Sequence, residues 1–163
     1  MLDNKNENTL KIRDIFFNYL QRINYEGIIG VAKFSNVCKD LMPVQQGKLK
    51  NVLGNKFGDF LKNGSIISIG ICYPSNIIDD INVKENGKIN KIKWNKYAEE
   101  YYHLNLMLKE IGAQIAKKFN FFSFPPTTGV PAENITNVID YYSHTISHRV
   151  VAEHAGLGWR GKK

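Results

Sequence analysis

The stretch Ser65-Ile66-Ile67-Ser68-Ile69-Gly70-Ile71-Cys72-Tyr73 constrains the fold more than any other part of the chain. It is almost wholly apolar or small, it is rich in β-branched residues, and Pro74 stops it. A run of this kind suits a strand buried on both faces, which requires covering helices. Helical patterns do flank it. From Thr9, apolar residues recur at helical spacing through Leu10, Ile15, Phe16, Tyr19, Leu20 and Ile23, and Gly27 ends that segment. Ile28 to Phe34 reads as a further strand. Asn36 to Leu41 is a short turn or helix, and Leu49 to Leu61 has a weaker helical pattern interrupted by Gly54 and Gly58. Beyond Pro74, residues 75–93 are polar and turn-rich, with a short hairpin marked by Asn86-Gly87. Trp94 to Phe119 is the longest helical pattern, residues 120–138 are irregular, and Ser147 to Ala155 is a short helix closed by Gly156.

These segments predict a frayed tail over 1–8 and one α/β domain over 9–163, a layered α-β-α arrangement around a small mixed sheet. The last residues form a Gly-rich turn with no closing element. The domain is therefore expected to be incomplete at its C-terminus, as the N-terminal part of a longer architecture.

Composition removes several function classes. With 163 residues the chain is long enough to bury a core without disulfides or a metal. Its 43% hydrophobic and 23% charged residues exclude collagen-like, coiled-coil and wholly disordered chains. No run of about eighteen apolar residues exists to cross a bilayer as a helix. Cys38 and Cys72 are too few for a disulfide framework or for an iron–sulfur cluster. The polar start carries no secretory signal, so the expected compartment is the cytoplasm and the expected state of both thiols is free. The formal charge of +7 favours anionic partners, nucleic acid included. Lys88, Lys91, Lys93 and Lys96 around Trp94 form the densest basic run, a candidate RNA contact or else a solvated face.

Most of the chemical signal lies between Tyr141 and Lys162. Gly156, Gly158 and Gly161 have the spacing of a dinucleotide fingerprint, and Gly156 to Lys162 nearly has that of a P-loop. Both motifs require a preceding strand, and here a helix precedes. Neither is assigned. What remains is a turn whose glycines allow close backbone approach, with Arg160 and Lys162 available to an anion. The plain alternative is a helix C-cap with Trp159 plugging the core. His144, His148 and His154 cluster here, but a helix beginning at Ser147 leaves His144 outside it, and no metal ligand set is assigned. Arg149 and Glu153 have the spacing of a helical ion pair. Of the adjacent Tyr141 and Tyr142, one faces inward in extended chain, where a tyrosine hydroxyl can donate a proton or simply pack.

The run Ser147-His148-Arg149-Val150-Val151-Ala152-Glu153-His154-Ala155-Gly156-Leu157-Gly158-Trp159-Arg160-Gly161-Lys162 resembles the signature of the epoxyqueuosine reductase family. The strand ending in Cys72-Tyr73-Pro74, followed by a long helix, is similar to that family's as well. The resemblance implies an N-terminal α/β portion that helps cradle cobalamin, and a C-terminal ferredoxin-like portion with two 4Fe-4S clusters. The latter is absent from this chain. It implies electron transfer from the clusters through cobalt to epoxyqueuosine in tRNA. Reductive dehalogenases share a related core. The family's catalytic aspartate falls at Tyr142 on an ungapped count, with Asp140 two residues away. The resemblance thus implies Tyr142, or Asp140, as the proton donor. It also implies Arg149, Gly156, Gly158, Trp159, Gly161 and Lys162 as the cofactor wall. The alternatives are a non-catalytic corrinoid-, flavin- or RNA-binding module, and a degenerate remnant.

Overall fold

The computed structural model describes residues 2–82, 84, 85, 87–124, 137, 139, 142 and 145–158. Its elements are α1 (Leu2–Ile23), β1 (Gly27–Lys33), α2 (Phe34–Asp40), α3 (Pro43–Leu53), a 3₁₀ turn (Gly54–Lys56) and α4 (Phe57–Asn63). They continue with β2 (Ser65–Ile71), α5 (Ser75–Asn82), β3 (Lys84–Glu85), β4 (Lys88–Ile89), α6 (Lys91–Phe119) and α7 (His148–His154). The mixed α/β class is as the sequence indicates. Strand pairs with strand in twos: β1 with β2, and β3 with β4. Backbone bonds from Cys72 N–H to Glu26 O (2.8 Å) and from Phe34 N–H to Gly64 O (3.0 Å) bracket the first pair and set it antiparallel. With one partner strand among the described residues, β2 is half-buried over most of its length and not sealed on both faces. The second pair is the hairpin signalled by Asn86-Gly87, and Gly87 supplies its positive φ of 74°.

The chain divides into two compact units, where the sequence suggested one domain. Unit 1 comprises Met1–Ile28 and Gly70–Ser123. Its core joins Ile12, Phe16, Tyr19 and Leu20 of α1 to Leu104, Met107, Ile111 and Ile115 of α6. The α1 backbone is helical from Leu2. Gly27 is required here: a Cβ would stand 2.5 Å from Leu20 Cδ1 and 2.6 Å from Gly70 O. In α6, Asn90 caps the N-terminus by accepting from the N–H groups of Ile92 and Lys93, and Asn120 ends the helix in the left-handed region. Helix α5 lies in the segment 75–93, whose polar, turn-rich composition predicts no helix. Pro74 O starts it by accepting from the N–H groups of Ile77 and Ile78.

Unit 2 comprises Ile29–Ile69 and Phe124–Lys163. Its core gathers Ala32 from β1, Phe34, Val37 and Cys38 from α2, Leu49 and Leu53 from α3, and Ile146, Val150 and Val151 around α7. Phe34 meets Phe57 edge-on at 6.0 Å and Phe60 at 5.6 Å, which locks α4 to α2.

Candidate functional site

The stretch singled out in sequence is built around α7. Thr145 and Ile146 enter buried, and Ser147 caps the helix, its hydroxyl accepting from Val150 N–H at 3.3 Å. Val150 and Val151 face the core, while Arg149 projects to solvent. The C-terminus is a Schellman cap. Leu157 N–H donates to Ala152 O at 3.0 Å, Gly156 N–H donates to Glu153 O at 3.1 Å, and Gly156 sits at φ +72°. That conformation is why glycine stands at 156.

The cap delivers Leu157 onto β1. A Cβ at Gly30 would lie 2.5 Å from Ala155 O and 2.8 Å from Leu157 Cδ2, so only a glycine lets the turn seat there. A second tie holds the end of α7: His154 Nε2 is 2.7 Å from Asp40 Oδ2 at the end of α2. Sequence reasoning missed both ties. The signal for the first was present, because a glycine between β-branched strand residues marks a close backbone approach. Asp40 is separated from His154 by 114 positions and carried no local signal.

Tyr142 is helical and half-buried, and Arg149 is exposed. Among the described residues, a Cβ at Gly156 or Gly158 would meet nothing within 4 Å. Asp140, Trp159, Gly161 and Lys162 lie outside the described residues, as does His144. A corrin ring needs a surface that a broad flat body can approach closely. The backbone of Gly156 and Gly158, which no described side chain covers within 4 Å of their Cβ positions, fits that need. Among the described residues, no group of three or more His, Cys, Asp or Glu side chains is arranged to hold a metal ion. A corrinoid would bring its own.

A second constellation lies in unit 1. Tyr73 stacks on Tyr97 (centroids 5.1 Å apart, 15° between planes), and Trp94 meets Tyr97 at 5.7 Å and 69°. The Tyr73 hydroxyl is buried, with no hydrogen-bond partner of good geometry among the described residues. Burial first, then Tyr97, Tyr101 and Glu100 nearby, push its pKa well up. Tyr25 donates to Glu100 Oε1 at 2.7 Å, and burial together with that acceptor pushes its hydroxyl up to about 12. Of the basic run, Lys93 pairs with Asp80 at 3.3 Å, whereas Lys88, Lys91 and Lys96 are exposed. An open groove of about 320 Å³ between α5 and α6 is lined by Asp80, Lys93, Lys96, Glu99 and Glu100 among others. Its mixed charges point to no single ligand.

No family model, no curated protein and no solved structure matches the chain.

Proposed function

We propose that the chain is the N-terminal portion of a corrinoid- and iron–sulfur-dependent reductase resembling epoxyqueuosine reductase, acting on tRNA in the cytoplasm. The observation that carries this reading is the run Ser147 to Lys162, whose similarity to the family signature coincides with a turn open at Gly156 and Gly158. Cobalamin, when bound, supplies the redox-active cobalt. The chain's own residues do the rest of the work assigned to this portion. The Schellman cap and the seat on Gly30 hold the turn in place, so its backbone can back a flat ligand without reorganising. Arg149, exposed on α7, would offer a cation to the phosphodiester of the cofactor's nucleotide tail. Trp159, Gly161 and Lys162 would extend the same wall. Tyr142 would hold the proton delivered to the substrate at its hydroxyl, with Asp140 the reserve donor. The 4Fe-4S clusters would belong to a ferredoxin-like portion outside this chain.

Tyr142→Phe, in the chain joined to its cluster-bearing portion, tests the donor. The expected result is turnover of epoxyqueuosine-containing tRNA reduced at least about 100-fold, the scale of a lost general acid, with cobalamin affinity unchanged. Unchanged turnover would overturn the assignment of Tyr142.

A further inference from the structure

We propose that the solvent face of α6 carrying Trp94 and Tyr101 binds single-stranded nucleic acid. At 100° per residue, Lys91, Trp94, Tyr101, Tyr102 and Lys109 fall on one side of this helix. The buried residues Leu104, Met107, Ile111 and Ile115 fall on another. The rings of Trp94, Tyr101 and Tyr102 are exposed at 41%, 42% and 63%. Trp94 and Tyr101 are seven residues apart, which sets them about 10 Å from one another along the axis. Glu99 and Glu100 line the groove, about 140° and 120° round the helix from Trp94, with Glu99 bordering the face beside Tyr102. The face is therefore aromatic and cationic, and α6 itself places no carboxylate between Trp94 and Tyr101 on that side.

Two features make it a platform and not merely exposed surface. Trp94 is braced from behind, because its indole abuts Tyr97, which is stacked in turn on Tyr73. A ring held in that way loses little freedom when a base stacks on it. The capped N-terminus of the 29-residue α6 also lies beside Lys88 and Lys91, so the helix dipole and two exposed lysines favour phosphate at the same end. Unstacked bases on aromatic rings, with the backbone tracked by cations, are how sequence-tolerant single-strand binding works. Three rings along one face favour this partner over a lipid surface, where aliphatic insertion would dominate. The inference stands on unit 1 alone and does not require the corrinoid reading.

The test is a titration of a fluorescent oligouridylate of about ten nucleotides, with the Trp159→Phe background leaving Trp94 as the sole tryptophan. Expected are quenching of Trp94 on binding and roughly tenfold weaker binding in Trp94→Ala and in Tyr101→Ala, the scale of one lost stack. Trp94→Phe should retain most of the affinity. Lys88→Ala with Lys91→Ala should flatten the salt dependence. Circular dichroism of each variant checks that the helices are intact. Trp94→Leu guards against a packing effect, since it keeps apolar bulk without the stacking face and should behave like Trp94→Ala. No binding by the parent chain, affinity unchanged in Trp94→Leu, or binding confined to anionic phosphatidylserine vesicles would overturn the proposal.

Discussion

At the scale of single residues, backbone conformation and titration carry the sharpest consequences. Gly156 has a left-handed φ and no described atom within 4 Å of its Cβ position, so substitution there tests backbone conformation first. Gly156→Ala is expected to lower unfolding free energy by about 1 kcal/mol, and Gly156→Asn by less, in denaturant titrations. Tyr25 gives the pH signature. Its hydroxyl ordinarily titrates near 10.0 and is raised to about 12 in the fold. The neutral form is thus the one favoured by folding, so its contribution is whole below pH 10 and is lost as pH rises through about 12. Stability should fall across that alkaline window, and Tyr25→Phe should shrink the Tyr25 part of the fall, leaving those of Tyr19 and Tyr73, which are raised too. The tyrosines show what is hidden at this scale. The Tyr25–Glu100 bond spans 75 positions, and nothing in the spacing of either residue announces it.

Among the elements, the decisive contact is that of the α7 turn on β1. Gly30→Ala would press a methyl against the Ala155 carbonyl and Leu157, and backbone on one side of that contact cannot swing away as a side-chain tip does. The expected cost is about 1–3 kcal/mol, more than for Gly156→Ala, and hydrogen exchange should show the amides of α7 exposed before those of α2. Equal exchange in both helices would mean that the turn is not what Gly30 accommodates. Element positions were largely legible from sequence where one physical signal dominated. Periodicity located α1 and α6, β-branching located β1 and β2, and Ser147 with Gly156 bounded α7 to within a residue. Helix α5 went unread although Ile77, Ile78 and Ile81 have helical spacing, because Asn, Asp and Ser between them read equally as a turn. Helix α3 was legible only in its second half, since Pro43 at its first turn reads equally as a loop. β2 is half-buried and not buried on both faces, because among the described residues it pairs with β1 alone, a property of pairing that composition does not encode.

For the molecule as a whole, the sequence conveyed the α/β class but not the division into two units, each with its own buried cluster. Each unit combines segments from distant parts of the chain, and apolar patterning along the sequence reports burial without reporting which burials are shared. The candidate site divides in the same way. Its helix, cap and glycines were readable as a motif, whereas the seat on Gly30 and the Asp40 tie emerge only from the fold. The reductase reading rests on that motif and on the open turn, and its central claim is that this chain contributes to a corrinoid cradle. Titration of the purified chain with cobalamin, followed by visible absorbance and gel filtration, tests it most directly. The account predicts co-elution of the corrinoid with micromolar affinity, weakened in Arg149→Ala. A well-folded chain that neither shifts the corrinoid spectrum nor retains it on the column would contradict the account.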